Sequence, residues 1–381
     1  MLFILCQCVL FCENHDKGDL SMLSPLTIRS VRARPVLAPL PRPLRTASGA
    51  IPAAPLVLID VETDQGITGR AYLFGYSPLT LKPLCVFLND LTELVAGKPL
   101  APAERASQLS LAFRLLGRQG LVGMALSGLD MALWDALGRR DGRPVVELLG
   151  GEAKPLPAYD SFGLVDPVKE RSELEASVES GFRAIKIKIG DGSIAEDAEM
   201  VRAVRDIVGP DVQLMVDLNQ SQDAVSAIRR IEKLAVHDLT WVEEPVAAED
   251  LAGHARVRAA SPVAIQTGEN WWFPSDMARA VEAGACDLAM PDLMKIGGVT
   301  GWLRAMALAE AASLPLSSHI FVEASAHALA VSPTAQFLEH LDLAGVILAE
   351  PLRAVDGMVT ARGPGLGMEW DEDAVRRYSL T

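Results

Sequence analysis

Paired cysteines, basic clusters and long apolar runs are all scarce in this 381-residue sequence. Its five cysteines form no Cys-x-x-Cys pair and no evident disulfide framework, which suits a cytoplasmic location. Cys6, Cys8 and Cys12 crowd together, but no histidine or acidic partner falls at ligand spacing in an ordered element, so we predict no metal site there. The net charge of -14 comes with no basic patch, which argues against nucleic acid and anionic membranes as partners.

The apolar run from Met1 to Phe11 is too short to span a bilayer. It also lacks the basic segment and the small-residue cleavage site of a signal peptide. Globular patterning begins only near Ile28, with Met22 just before it. We therefore interpret residues 1–21 as a disordered extension or a misassigned start.

Strands and then helices make up the next part of the chain, residues 22–150. Short β-branched runs at Thr27–Val36, Pro55–Glu62 and Ile67–Phe74 are separated by turn signals and predict an antiparallel meander. Helical periodicity follows; its segments are Thr80–Ala96, Ala103–Leu116 and Leu121–Arg140. This order predicts an α+β capping domain.

Residues 151–349 show a regular alternation of short apolar runs with helix-compatible stretches. The apolar runs are Leu156–Tyr159, Ala184–Ile189, Gln213–Leu218, Leu239–Val242, Val263–Thr267, Asp287–Met290, Leu314–Ser317 and Leu343–Leu348. Eight such units predict a modified (β/α)₈ TIM-type barrel. The remaining residues, 350–381, form no further unit and are predicted to pack back on the capping domain.

Three carboxylates stand at the ends of three successive predicted strands. Asp217, Glu243 and Glu269 are spaced by 26 residues each, one strand–helix unit apiece. The carboxyl ends of barrel strands form the active-site face, and like charges crowded there repel unless a cation neutralises them. Isolated helix caps or surface charges would not fall in register, so we predict a Mg²⁺ site, with Mn²⁺ as an alternative metal.

Candidate acid and base residues lie on both sides of that metal site. In the second strand, alternation puts Lys186 and Lys188 on the inner face, where each would lower the pKa of the other. Asp292 ends the sixth strand and His319 the seventh, so the carboxylate would fix the imidazole tautomer. Glu339 is either a neutral acid that donates to an enediolate oxygen or an ordinary surface residue.

Several motifs together resemble the mandelate racemase family of the enolase superfamily. They are Lys-Ile-Lys (186–188), the carboxylate triad, Met-Pro-Asp-Leu-Met-Lys-Ile-Gly-Gly-Val-Thr-Gly-Trp (290–302), Ser-Ser-His (317–319), Ala-Tyr-Asp-Ser (158–161), Pro-Leu-Val-Leu-Ile-Asp (55–60) and Leu-Asp-Leu-Ala-Gly (341–345). The resemblance runs from about Ile28 to the end of the chain. It implies a capped barrel, Mg²⁺ and a homo-octamer or another homo-oligomer.

The resemblance also implies residue roles. Lys188 would act on the S-configured substrate, and the His319–Asp292 pair on the R-configured one. Lys186 would neutralise the substrate carboxylate, with Glu339 as the electrophilic acid. Further substrate-binding positions are implied, namely Ser161, Asn219, Leu44, Ile51, Tyr76 and Leu341.

Two features of the sequence depart from the family pattern. Phe162 stands where the family has histidine, and Leu44 and Ile51 are bulkier than the family's valines. The catalytic set is unaffected, and the departures bear only on which substrate is bound.

Three hypotheses follow from the sequence. The leading one is racemisation of an apolar, mandelate-like 2-hydroxy acid by two-base 1,1-proton transfer through an enediolate. The alternative is dehydration of an acid sugar of the aldonate or tartrate type by the same residues, with only the pocket separating the two. A catalytically silent, metal-dependent binding protein is disfavoured, because no catalytic position is lost.

Overall fold

The computed structural model describes residues 26–46 and 49–380, so the N-terminal segment 1–21 with its three cysteines lies outside the described residues. The first domain contains a three-stranded antiparallel sheet in the order β1-β2-β3. Its strands are β1 (Ile28–Thr46), β2 (Gly49–Thr63) and β3 (Thr68–Phe74). The predicted meander is confirmed, and its first two strands are longer than the apolar runs because they extend as an arm beyond the sheet.

Five helices follow this sheet, and some of them pack on its strands. They are α1 (Leu81–Asp90), α2 (Thr92–Val95), α3 (Pro102–Ala112), α4 (Leu121–Asp141) and α5 (Val145–Leu148). The predicted helix Thr80–Ala96 is two helices that meet at Leu91, and the helix predicted to reach Leu116 ends at Ala112. Beyond α3, Leu115 and Leu116 are exposed, so no buried face holds a further turn.

Helix α4 is the central helix of the capping domain. Among the described helices it alone is long and apolar enough to cross a membrane by length and composition, yet 72% of its apolar window is buried inside the protein. It packs closely on β3, because a Cβ atom at Gly69 would lie 2.1 Å from the carbonyl oxygen of Ala132. The apolar character of α4 is therefore that of a core helix.

The second domain is a barrel of parallel strands surrounded by helices. Its strands are β4 (Leu156–Leu164), β5 (Ala184–Lys188), β6 (Gln213–Asp217), β7 (Leu239–Glu243), β8 (Ile265–Thr267), β9 (Leu288–Ala289) and β10 (Leu338–His340). The helices are α6 (Arg171–Glu179), α7 (Ile194–Val208), α8 (Ala224–Leu234), α9 (Leu251–Ala260), α10 (Phe273–Glu282), α11 (Leu293–Ile296), α12 (Gly298–Ala311) and α13 (Val322–Ala330). The sheet order is β10-β4-β5-β6-β7-β8-β9.

Two apolar clusters place the barrel's polar residues at its mouth. Outside the strands, Ile185 and Ile187 pack with residues of α7 and α8. Inside, a smaller cluster that includes Tyr159, Met215 and Trp241 fills the barrel below the strand ends. We call this inner cluster the floor, because it closes the barrel beneath the polar residues.

The seventh and eighth strand positions differ from the sequence prediction. Residues 314–317 form only isolated parallel bridges, from Leu316 to Ala289 and to Ala335. The predicted eighth strand Leu343–Leu348 is wrong, because those residues contain a 3-10 turn (Gly345–Ile347) and the strand is β10. β10 has three residues and two of them are polar, so it carries no apolar run.

The C-terminal residues contact both domains. Strand β11 (Met358–Val359) pairs with β4, and helix α14 (Glu372–Tyr378) lies against β1. Trp370 donates from Nε1 to Asp60 of the first sheet at 2.7 Å, and Arg34 forms an ion pair with Glu372. This return of the chain ties the capping domain to the barrel.

Candidate active site

The three predicted metal ligands lie side by side at the carboxyl ends of neighbouring strands. Asp217 ends β6 and Glu243 ends β7, and the two residues are paired in register. Glu269 follows β8 by two residues. Ligand oxygens of the three residues lie within 4.8 Å of one another, and all three side chains are buried. Regular strand spacing thus brings the three carboxylates together.

These residues fit a hard divalent cation. Burial raises the pKa of Glu243 to about 7, and the neighbouring Asp217, Glu339 and Glu269 add to the rise against the opposing effect of Lys186. Three buried carboxylates at this spacing repel one another, a cation between them would relieve that repulsion, and oxygen ligands suit Mg²⁺. Asp217, Glu243 and Glu269 are therefore the residues that would hold the metal.

Both lysines of β5 point inward and pair with these carboxylates. Lys186 is 1% exposed; its Nζ lies 2.6 Å from Glu243 and 2.9 Å from Glu339. Lys188 Nζ lies 2.5 Å from Asp217. Burial and Lys186 each lower the pKa of Lys188, as predicted, but Asp217 and Glu269 raise it by more. The predicted net lowering of the pKa of Lys188 is therefore wrong. In this structure the lysines are cations that balance the metal ligands.

His319 and Asp292 form a hydrogen-bonded pair. His319 Nδ1 lies 2.6 Å from Asp292 Oδ2, and Nε2 faces Glu269 at 3.2 Å. Burial alone would lower the pKa of His319, but Glu269, Glu339 and Asp292 raise it to about 9. The imidazole therefore carries a proton on Nε2 at neutral pH, on the side that faces the metal ligands.

Glu339 lies in β10 itself and is buried, so it is not a surface residue. It accepts hydrogen bonds from Ser161 Oγ at 2.7 Å and from the backbone amide of Ile320 at 2.9 Å. Burial by itself would raise the pKa of Glu339, but Lys186 and His319 lower it to about 2. Glu339 is therefore a carboxylate in the ligand-free protein, and its predicted role as a neutral acid toward an enediolate concerns the substrate complex and stays a prediction.

A cavity of about 500 Å³ lies above these groups. Its lining includes the following residues predicted to act in the site: Leu44, Ile51, Tyr76, Ser161, Lys188, Asn219, Glu269, His319, Glu339 and Leu341. Lys186, Asp217, Glu243 and Asp292 do not line the cavity and lie beneath its surface. The site therefore has groups that line the cavity and can meet a ligand, and groups beneath the cavity that set the local charge.

The arm formed by the ends of β1 and β2 closes one side of this cavity. Arg42 forms an ion pair with Asp160 on β4, with Nη1 3.1 Å from Oδ2, and its guanidinium stacks on Phe162 at 3.8 Å. A Cβ atom at Gly163 would lie 2.5 Å from the carbonyl oxygen of Arg45, so only glycine lets the arm pass this closely. Phe162 packs in the outer apolar cluster and does not line the cavity.

Sequence reasoning missed a polar group on the metal side of the cavity. Lys295, 5% exposed, donates from Nζ to Asn270 Oδ1 at 2.6 Å and lies 4.8 Å from the centre of the Tyr76 ring. Asn270 in turn donates to both oxygens of Glu244, at 2.8 and 3.0 Å. Burial and Glu269 raise the pKa of Glu244 well above its usual value. Asn270 directly follows the predicted metal ligand Glu269 in the sequence, and this position is the signal from which the polar group could have been predicted.

Backbone strain is concentrated where the chain leaves the strand ends. Left-handed φ angles occur at Asn219 (+41°), Glu244 (+40°), Ile320 (+40°) and Phe321 (+50°). Each of these residues lies within two positions of a metal ligand or of His319. Such conformations cost about 1–3 kcal/mol each and persist where the surrounding structure fixes them. The strand ends are therefore held in one geometry rather than relaxed into common turns.

The comparisons with known proteins identify both domains. Residues 28–150 match the mandelate racemase/muconate lactonizing enzyme N-terminal domain, and residues 169–374 match the enolase C-terminal domain-like family. Together these matches span most of the chain and agree with the capped barrel described above.

Solved and characterised relatives extend this match. A crystal structure of an enolase from Bradyrhizobium, complexed with magnesium and mandelic acid, is 57% identical; the match covers 94% of this chain and 100% of that one with a TM-score of 0.93. The 3,6-anhydro-alpha-L-galactonate cycloisomerase of Streptomyces coelicolor is 34% identical over 93% of this chain and 99% of its own length. The L-talarate/galactarate dehydratase of Salmonella typhimurium is 34% identical over 70% of this chain and 68% of its own. Related structures hold magnesium and the three carboxylates suit it, so Mg²⁺ is the cofactor. The chain is an enzyme of the mandelate racemase/muconate lactonizing enzyme family of the enolase superfamily.

Proposed function

We propose that the protein is a Mg²⁺-dependent racemase of an apolar, mandelate-like 2-hydroxy acid. The observation that carries this proposal is the cavity, in which Lys188 and His319 both face a space walled by Leu44, Ile51 and Leu341. Two proton-transfer groups on separate strands and an apolar wall suit a substrate with one reacting carbon and an apolar substituent. Mandelic acid in the 57% identical Bradyrhizobium structure supports the same substrate class.

Lys188 and His319 are the two bases of this reaction. β5 and the seventh strand position are separated by β6 to β9 in one direction and by β10 and β4 in the other. Lys188 is a cation in the ligand-free protein, so the S-to-R direction requires that it first lose a proton; its neutral Nζ then takes the α proton, and His319 returns a proton from Nε2 to the other face of the same carbon. In the reverse direction the protonation states are exchanged: neutral His319 takes the proton at Nε2, and the Lys188 ammonium returns one from Nζ. Asp292 holds the imidazole through Nδ1 in both directions.

The α proton of a carboxylate is too weakly acidic for either base alone, so the negative charge must be stabilised. Asp217, Glu243 and Glu269 would hold Mg²⁺, which when bound would supply positive charge that stabilises the enediolate. Lys186 adds a fixed cation from below the cavity, held by Glu339 and Glu243. Ser161 and Asn219 line the cavity with polar groups that can hydrogen-bond the substrate oxygens.

The arm of the capping domain places two apolar side chains against the cavity. Leu44 is 8% exposed, and Ile51 is partly buried against the core. Both lie on the arm that Arg42 holds to β4. An apolar substituent that contacts these residues would bury hydrocarbon at about 25 cal/mol per Å².

Polarimetry of R-mandelate with purified enzyme and Mg²⁺ tests the proposal. We expect the rotation to decay to zero without formation of a 2-keto acid, and EDTA to abolish the decay. An enzyme that leaves R- and S-mandelate unchanged, but exchanges or dehydrates other hydroxy acids, would refute the substrate assignment and leave the metal site intact.

A second candidate is dehydration of an acid sugar, in which His319 protonates a departing β-hydroxyl. Two observations favour it: the dehydratase and cycloisomerase relatives act on sugar acids by their names, and Gln220, Asn270 and Lys295 add polar groups to the cavity. A panel of aldonates and aldarates assayed for 2-keto acid formation distinguishes it, because racemisation produces no keto acid.

A further inference from the structure

A second cavity lies at the junction of the two domains. It has a volume of about 290 Å³ and is lined by residues of α3, α4, α10 and α12. None of its lining residues also lines the active-site cavity. We call it the junction cavity, and its residues have no part in the reaction described above.

Three arginines line the junction cavity, although the chain as a whole carries a net charge of -14. Arg118 donates to Ser110 Oγ at 2.9 Å, and its guanidinium lies 4.5 Å from the centre of the Phe273 ring. These contacts hold the group without neutralising it. Arg304 reaches the cavity from α12, and the nearby carboxyl of Asp130 interacts with it electrostatically.

The third arginine is less available. Arg105 is 3% exposed and uses its terminal nitrogens on Gln108 and Glu104, but its Nε has no hydrogen-bond partner among the described residues. Positive charge at the cavity that is free for a ligand therefore comes from Arg118 and Arg304.

Asp130 is the buried polar group of this cavity. It is 3% exposed, and its Oδ2 accepts from the backbone amide of Thr300 at 2.9 Å. Its Oδ1 has no hydrogen-bond partner among the residues that the structure describes. Burial raises the pKa of Asp130 to about 7, against the opposing effects of Thr300 and Arg304. A buried carboxyl oxygen without a partner is costly, and a ligand that donates a hydrogen bond would remove that cost.

Apolar side chains also line the junction cavity, beside hydroxyl groups of serine and threonine residues. Leu109, Leu126, Leu129 and Leu133 face the cavity from α3 and α4, and Ile296 faces it from the end of α11. The volume is close to the lower limit of small-molecule sites, about 300 Å³. An occupant therefore has an apolar body of modest size, an anionic group and a hydrogen-bond donor.

We propose that the junction cavity is a second ligand site, for a small organic anion with these three features. Its carboxylate lies between Arg118 and Arg304, its hydroxyl donates to Asp130 Oδ1, and its apolar body contacts the leucines. The proposal is independent of the racemase assignment, because it rests on groups outside the active site.

Bromine-labelled probes test this site directly. Crystals of the Mg²⁺-loaded enzyme are soaked with 4-bromomandelate, and anomalous scattering locates the bromine atoms. We expect one bromine in the junction cavity in addition to any in the active site. Isothermal titration should then give a binding event that the double variant Arg118→Met/Arg304→Met weakens at least tenfold. Arg114→Met is the matched control, because Arg114 is exposed and does not line the cavity.

Two related probes test the separate contacts. 4-Bromobenzoate lacks the hydroxyl and should bind the junction cavity more weakly, and Asp130→Asn should reduce that difference. 4-Bromobenzyl alcohol lacks the carboxylate and should not bind there. Bromine in the active site alone, binding at crystal concentration only, or equal titration by the control and the double variant would each overturn the proposal. These readouts are binding events, so they stand whether or not mandelate is the substrate.

Discussion

Replacing Lys186 with methionine tests the charge balance of the buried ion cluster formed by Lys186, Glu243 and Glu339. Lys186 Nζ lies within 2.9 Å of both Glu243 and Glu339, and all three side chains are at most 3% exposed. Removing one partner of a buried ion pair costs about 3–5 kcal/mol, because it leaves a buried charge uncompensated. We therefore expect Lys186→Met to lower the free energy of unfolding of the metal-free enzyme by about that amount.

Mg²⁺ should reverse much of this loss. The cation would neutralise the carboxylates that lose Lys186, and ligand at 100 times its Kd adds about 2.7 kcal/mol to stability. Urea denaturation in EDTA and in saturating Mg²⁺ measures both quantities, with Lys154→Met as a control because Lys154 is exposed. A metal-free Lys186→Met enzyme as stable as the wild type would refute the inferred charge balance, and a loss that Mg²⁺ leaves unchanged would show that packing dominates.

Three further predictions concern the two proton-transfer bases, the buried carboxyl of Glu323 and two exposed leucines. Asp292→Asn should slow exchange of the α proton of the R enantiomer in D₂O by about 10²- to 10⁴-fold, and exchange in the S enantiomer should be spared. NMR follows both exchange rates. An equal loss of rate for the two enantiomers would contradict the assignment of bases. Burial raises the pKa of Glu323 from 4.5 to about 7. The folded state therefore binds more protons than the unfolded state, so the free energy of unfolding falls as the pH rises from about 4.5 to 7. Glu323→Gln should remove roughly 3 kcal/mol of this pH dependence, as measured by urea denaturation at several pH values. An unchanged pH profile in the variant would contradict the prediction. Leu115 is 93% exposed and Leu116 is 72% exposed, and adjacent exposed leucines are typical of an interface between subunits. Light scattering should therefore detect a homo-oligomer, which the double variant Leu115→Glu/Leu116→Glu dissociates. A monomeric wild type would contradict this prediction.

The positions of the site residues could be predicted because barrel strands repeat. Asp217, Glu243 and Glu269 occupy equivalent places in successive units, so their spacing alone indicates one edge of the sheet. Alternation within β5 similarly separates Lys186 and Lys188 from the isoleucines. These inferences need only the period of the strand and the direction of the sheet.

The ionisation states could not be predicted from the same patterns. Whether Lys188 or Glu339 is charged depends on which oxygens lie within about 3 Å of it, and that is a property of side-chain packing. β10 was missed for a related reason: it is held by its neighbour β4 rather than by an apolar run of its own. Lys295 was missed because it lies in a four-residue helix, where neither strand alternation nor strand-end position applies.

The arm has a consequence for how this enzyme can diversify. Leu44 and Ile51 shape the cavity, yet they belong to a domain with its own sheet and its own covering helices. The ion cluster beneath the cavity is built entirely from barrel residues. Leu44 and Ile51 take part in none of those ion pairs. Substitutions on the arm can therefore change which substituent the cavity accepts while the proton-transfer residues stay the same. The capping domain is thus the part of the molecule in which new substrate ranges can arise at low risk to the chemistry.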